Sequence, residues 1–187
     1  MMYNKKALTK PIKRLVPWND IKLMVFDCDG VLTDGRFIYG STNLELKHFH
    51  GHDGLGFKLL QKTDIIISVI SGRGSEALER RCKDLNITYL FQNVANKLQC
   101  LDNLLKELNL IYTNVAYMGD DWNDVPVMQK VAFSAAPADA QPDVAKIVDW
   151  VSEFKGGQGA ARDMINYVLT RKGIYEKTVL AYLDSIV

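Results

Sequence analysis

The residues best suited to chemistry are carboxylates that follow short apolar runs. Asp27-Cys28-Asp29-Gly30-Val31-Leu32-Thr33-Asp34-Gly35 sets two acids two positions apart, directly after Leu23-Met24-Val25-Phe26. Past the end of a strand, one such carboxylate can attack phosphorus while the second passes a proton to the departing oxygen. A polar turn is the plainer reading, Asp-Gly being common in turns. Ser71-Gly72-Arg73 follows the apolar run Ile65 to Ile70 and offers a hydroxyl, a run of amides and a guanidinium fork, all suited to phosphate oxygens. Lys97 opens a leucine-rich segment, where a cation is unfavourable to the helix dipole. Gly119-Asp120-Asp121-Trp122-Asn123-Asp124 crowds three acids after Val115 to Met118. Such acids repel one another unless a cation joins them, and a few hard oxygen ligands point to Mg²⁺, which is completed by water and substrate phosphate.

Positioning these groups requires strands that end at one rim. Leu23–Phe26, Ile65–Ile70, Tyr89–Phe91, Val115–Met118, a stretch around 132–136 and Ile147–Val151 read as buried strands. Helices are expected over Gly56–Lys62, from an N-cap at Ser75 to about Leu85, along the Leu98, Leu101, Leu105, Leu108 face, near 125–130, near 160–170 and near 176–186. Strands alternating with helices imply an α/β fold, a doubly wound parallel sheet with helices on both faces, and ligands bind outside the carboxyl ends of its strands. Arg36–Tyr39 and Leu44–Phe49, around a polar Gly40–Asn43 break, depart from that rhythm as a β-hairpin, an edge decoration or a flap beside the site.

The chain has 187 residues, enough for a single domain spanning 1–187, with 1–18 as a loosely held arm and 34–50 as the flap. A net charge of +1 gives no electrostatic reason to expect nucleic acid or an anionic membrane. No apolar run approaches the ~20 residues of a membrane-spanning helix. Cys28, Cys82 and Cys100 are scattered, which fits reduced thiols and a cytoplasmic location.

In this order, Asp-x-Asp-Gly-x-Leu-Thr-Asp-Gly, Ile-Ser-Gly-Arg, a lysine and Gly-Asp-Asp-x-x-Asp resemble the haloacid dehalogenase superfamily. More narrowly, the chain is similar to the 3-deoxy-D-manno-octulosonate 8-phosphate phosphatase family, in its capless branch. The likeness extends to Phe49-x-x-Asp53-Gly-x-Gly56-x-Lys58, Arg80-Arg81 and Gly156-Gly-x-Gly-Ala160-x-Arg162. The resemblance implies Mg²⁺-dependent hydrolysis of a phosphorylated sugar acid, for lipopolysaccharide precursor synthesis. Asp27 would be the nucleophile and form an aspartyl phosphate, and Asp29 the acid and base. Asp27, the Asp29 carbonyl and Asp120 would hold the metal, while Asp121 and Asp124 orient its waters. Ser71 and Lys97 would hold the phosphoryl group. The acid group of the sugar would meet Lys58, Arg73 and Arg81, with the loop His50-Gly51-His52-Asp53-Gly54. A homotetramer joined through the hairpins is also implied, the flap and tail of one subunit completing a neighbour's site.

The sequence departs from the family pattern at His52, where arginine is expected, at Asn93, usually glycine, and at Asn96, usually aspartate. These departures bear on the substrate, and a phosphatase for a nine-carbon sugar acid 9-phosphate is the alternative. A non-catalytic assembly module is a second, although it would be expected to lose Asp27, Asp29, Lys97 or Asp120. A mutase would need a cap to exclude water, and no insertion of that size is evident. His48, His50 and His52 alternate, so on an extended strand they would line one face and could take zinc.

Overall fold

The structure is a computed structural model that describes residues 15–41 and 45–186. Eight strands and seven helices follow in the order β1 (Leu23–Phe26), β2 (Ile38–Tyr39), β3 (Glu45–Leu46), α1 (Gly51–Leu60), β4 (Ile66–Ile70), α2 (Glu76–Asp84), β5 (Tyr89–Phe91), α3 (Lys97–Leu108), β6 (Val115–Met118), α4 (Val125–Met128), β7 (Phe133–Ala136), α5 (Pro142–Ile147), β8 (Trp150–Val151), α6 (Ala160–Arg171) and α7 (Tyr175–Asp184).

Six strands form one sheet in the order β5-β4-β1-β6-β7-β8, and every pairing is parallel. Parallel strands are buried on both faces, which is why β1, β6 and β7 are buried at every position and, apart from Tyr117, apolar or small. Alternate residues of β1 serve opposite faces. Met24 and Phe26 pack with Phe57 of α1, Leu78 of α2 and Met164 of α6, whereas Leu23 and Val25 pack with Leu101 of α3, Val127 of α4 and Val144 of α5. The sheet is therefore the doubly wound α/β arrangement expected. The chain builds β1, β4 and β5 outward in one direction, then crosses to β6 and builds the other half. The reversal falls between β1 and β6, where open α/β sheets bind ligands.

Several boundaries differ from expectation for physical reasons. The hairpin ladder is shorter, pairing only Ile38 with Leu46 and Tyr39 with Glu45; part of its turn, residues 42–44, lies outside the described residues, as does the arm up to residue 14. Trp18 is not loosely held. It opens a 3-10 turn, and its ring lies 4.9 Å from Phe133 and 5.7 Å from Tyr167, while Lys172 Nζ donates to the carbonyls of Trp18, Asn19 and Ile21. Helix α1 begins at Gly51, not Gly56. Glycines at 51, 54 and 56 lower helix propensity, but Gly56 brings α1 close to Arg162 and Ile165 of α6, so tertiary packing overrides propensity. Ile147 ends the unanticipated helix α5 instead of opening a strand. The carboxylate of Asp149 then accepts from Ser134 N at 2.9 Å and Ser134 Oγ at 2.8 Å, leaving only Trp150–Val151 to pair. In α3 the fully covered leucines are 101, 104 and 105, with Leu98 and Leu108 half-buried on the same cluster.

The loop after β1 rests on the late glycine loop. Gly157 N donates to Val31 O at 3.0 Å, and a Cβ at position 156 would stand 1.9 Å from Gly30 O. No side chain fits there. Gly156→Ala should therefore destabilise the protein by about 1–3 kcal/mol, the usual range for overpacking. Thermal unfolding of the purified variant reads this as a melting temperature lowered by roughly 2–12 °C.

Candidate active site

Asp27 follows the last residue of β1, and its amide donates to Met118 O of β6 at 2.9 Å, so the two strand ends are level. Asp120 comes two residues after β6 ends, and Gly30, at φ +92°, leaves the space its carboxylate fills: a Cβ on Gly30 would stand 2.1 Å from Asp120 Oδ2. Lys97 is the first residue of α3. Asn96 caps that helix by accepting from Gln99 N at 3.0 Å, the work an aspartate would do. Asn93, where glycine is usual, holds φ 57°, a left-handed conformation asparagine tolerates.

Lys97 Nζ lies 2.7 Å from Asp27 Oδ1 and 2.7 Å from Asp124 Oδ1, and the lysine is 2% exposed. Burial alone would make its ammonium easier to deprotonate, but Asp124 and Asp27 outweigh that and raise its pKa. Asp124 is fully buried. Its Oδ1 also accepts from Tyr117 OH at 2.6 Å, and its Oδ2 accepts from the amides of Asp120 at 3.1 Å and Asp121 at 3.3 Å. Four donors occupy its two oxygens. It braces Lys97 and the loop that carries Asp120 and Asp121.

Asp27, Asp120 and Asp124 offer oxygens within 4.8 Å of one another. Burial, then the charge of Asp124, raises the Asp27 pKa to about 7 despite Lys97. Burial, then the charges of Asp27 and Asp124, raises that of Asp120 to about 8. Acids this reluctant to ionise side by side call for a further positive charge. With Asp124 already saturated by donors, Asp27 and Asp120 are the side chains left to supply it with hard oxygens, the donor type that Mg²⁺ prefers.

Asp27 and Asp120 open on a cavity of about 520 Å³ that Asp29, Gly72, Arg73, Asp121 and Asn123 also line, together with Phe37 of the hairpin. Ser71, one residue past β4, is buried at this rim, and its Oγ accepts from Arg73 N at 3.3 Å. The hairpin lies against the cleft as a flap. Arg73 donates to Tyr39 OH at 2.9 Å and to Glu45 Oε2 at 3.3 Å, and its guanidinium sits 4.2 Å from the Phe37 ring centroid. The guanidinium expected to bind a substrate carboxylate is thus the flap's anchor. Lys47 was not anticipated. Its side chain is buried, and Nζ donates to Asp29 Oδ1. Burial alone would lower its pKa, but the bond to Asp29 and the nearby acids raise it. The alternation Glu45-Leu46-Lys47 in the second hairpin arm was the available signal. Tyr117, concealed within a strand pattern, gave none.

The remaining candidates stand elsewhere on the chain. His52 lines a separate cavity of about 360 Å³ with Arg162 and Asn166. Asp53 is buried, and its Oδ1 accepts from Arg162 N at 2.8 Å, tying α1 to the first turn of α6; burial raises its pKa. Arg81 donates to His50 O at 3.1 Å and packs against buried Gly54. Gly51 and Lys58 are exposed on α1. The histidines do not line a strand. His48 and His50 are in irregular backbone, His52 is in the first turn of α1, and the rings of His50 and His52 meet edge-on at 4.8 Å. Among the described residues, the group able to hold a metal is the acidic trio, with no histidine in it.

Residues 86–162 match the family model of haloacid dehalogenase-like hydrolases, a span that includes Lys97, Asp120 and Asp124. The chain is 42% identical over 154 residues, 82% of each chain, to the 3-deoxy-D-manno-octulosonate 8-phosphate phosphatase KdsC of Escherichia coli K12. Its structure is similar to that of a probable YrbI family phosphatase from Pseudomonas syringae, with TM-score 0.86 and 42% identity, covering 89% of this chain and 94% of the other. It is also similar to the 3-deoxy-D-manno-octulosonate 8-phosphate phosphatase of Moraxella catarrhalis, solved with magnesium, phosphate and KDO, with TM-score 0.85 and 32% identity, covering 88% and 95%. With two strand ends converging on one acidic cluster and relatives this close along most of its length, the chain belongs to the 3-deoxy-D-manno-octulosonate 8-phosphate phosphatase family of haloacid dehalogenase-like hydrolases.

Proposed function

We propose that this protein hydrolyses 3-deoxy-D-manno-octulosonate 8-phosphate to the free sugar acid and phosphate, within lipopolysaccharide precursor synthesis. The observation that carries this reading is the Asp27 carboxylate, held 2.7 Å from Lys97 Nζ in a cleft shared with Asp29 and Asp120. The similar KdsC enzymes support the sugar acid.

Asp27 attacks phosphorus, the bond from phosphorus to the sugar oxygen breaks, and Asp29 supplies that oxygen with a proton. Asp29, now a carboxylate, then takes a proton from water as the water oxygen attacks phosphorus and the aspartyl phosphate opens. Lys97 neutralises Asp27 and meets a phosphoryl oxygen. The Ser71 hydroxyl, whose oxygen already accepts from Arg73 N, keeps its proton to donate to another. Asp27, the main-chain carbonyl of Asp29 and Asp120 would hold Mg²⁺, whose charge screens the repulsion between nucleophile and phosphate dianion. Asp121 lines the cleft, where it can orient metal-bound water, and Asp124 holds the loop in place.

We further propose a cytoplasmic homotetramer joined through the flaps. Phe37, Ile38, Tyr39 and Leu46 are exposed together there, more apolar surface than a two-stranded ribbon carries without a partner. His52 and Lys58 are exposed and do not line their own cleft, and they suit a neighbour's substrate. Light scattering after size exclusion should give four times the 21.1 kDa chain mass; a monomer removes this assembly.

Asp27→Asn should abolish phosphate release while leaving the melting temperature at or above the wild-type value, since a buried acid with a raised pKa is lost. Substantial turnover by the variant would remove the nucleophile. His52 in place of arginine favours weighing a nine-carbon sugar acid 9-phosphate, and kcat/KM measured side by side on the two substrates separates them.

Mg²⁺ binding requires Asp27 and Asp120 to be ionised, and without a cation they keep protons up to about pH 7 and 8. Affinity should therefore rise with pH, about tenfold per unit for each proton released, and level off above about pH 8. Calorimetric titration from pH 6 to 9 checks this. For stability the sign follows from raised acid pKa values: the metal-free fold loses stability as pH rises from about 4 through these values. The rise in melting temperature on adding Mg²⁺ should grow over the same window.

A further inference from the structure

Lys47 leaves the flap immediately after β3 and reaches the cleft with a side chain only 1% exposed. Its ammonium donates to Asp29 Oδ1 and lies 3.4 Å from Glu45 Oε1, and its charge stands 5.2 Å from the Phe37 ring centroid. Thr33 Oγ1 is 3.5 Å from the same Oδ1. The contacts of the Asp29 carboxylate thus fall on one oxygen. Glu45, which flanks Lys47, is itself held by Arg73 at 3.3 Å, so the lysine is set by the flap's anchorage to the loop after β4.

We propose that Lys47 is a positioning residue for proton transfer: by occupying Oδ1 of Asp29 it turns the carboxyl so that Oδ2 faces the leaving oxygen of the substrate. The inference rests on the assignment of Asp29 as acid and base. An ammonium group only donates hydrogen bonds, so Oδ1 must accept, and the proton of the neutral carboxyl resides on Oδ2. When Asp27 bonds to phosphorus, the bond to the sugar oxygen breaks and the Oδ2 proton moves to that oxygen. Lys47 keeps its own proton throughout. Without the lysine, the carboxyl can rotate and present its proton-bearing oxygen away from the substrate. A capless enzyme would thereby use its hairpin to align the acid.

Leaving-group dependence tests this. An alkyl sugar oxygen departs only with a proton, whereas p-nitrophenolate departs without one. Lys47→Met keeps the aliphatic stem and removes the donor. It should lower kcat/KM, which reports the steps through leaving-group departure, about 100-fold on the sugar acid phosphate, the scale of general acid catalysis, and at least tenfold less on p-nitrophenyl phosphate. Lys47→Arg, which keeps a charged donor, should restore part of the difference even if the methionine variant folds poorly. Equal losses on both substrates, or no loss on the sugar acid phosphate, overturn the role of Lys47. If wild-type protein with Mg²⁺ hydrolyses neither phosphate, the proposed function fails instead.

Discussion

The site is organised by one ammonium group shared between two carboxylates. Lys97 touches Asp27 on one side and Asp124 on the other, in an environment almost without solvent. A buried lysine and buried aspartates are each unfavourable alone, and together they are stable only if hydrogen bonds satisfy what the ion pairs leave over. Tyr117 and the amides of Asp120 and Asp121 do this for Asp124. Three segments remote in sequence, after β1, at the start of α3 and after β6, are locked together by this pairing. Their common position leaves Asp120 beside Asp27 with more negative charge than Lys97 can offset, and a divalent cation relieves that.

The sheet makes the convergence possible. Asp27 and Asp120 follow adjacent parallel strands at the point where strand order reverses, so neither residue needs a long loop to reach the other. Close backbone contact does the rest. Gly30 gives up its Cβ volume to the Asp120 carboxylate, and the glycine loop at 156–157 packs against the loop after β1. Asp27 therefore rests on rigid elements, while the flap, a short two-stranded ribbon, is tied to the cleft through Arg73.

The flap changes what the cations near the cleft do. Arg73, Glu45, Tyr39 and Phe37 form an anchoring cluster, and Lys47 carries its effect to Asp29. Away from the cleft, Arg81 of α2 donates to His50 O and Asp53 of α1 accepts from Arg162 N, so both are engaged in internal contacts.

Much of this was legible in the order of residues. Acids placed directly after Leu23–Phe26 and Val115–Met118 named the rim, because a buried strand in an α/β sheet is a short apolar run and its end is where polarity returns. The doubly wound sheet, the nucleophile candidate, Lys97 and the acidic trio followed from such local patterns and from the family likeness they carry. The hidden parts depend on distance in space. Nothing near Tyr117 says that its hydroxyl meets Asp124, and nothing near Lys47 says that it meets Asp29, because those contacts arise only when the sheet and flap close. The family likeness put Asp53 in a substrate-binding loop; the helix begins earlier and buries it. Local sequence specifies which atoms are available and how each segment runs; tertiary packing decides which of them end up facing one another, since burial and charge pairing are settled only when the whole chain has collapsed.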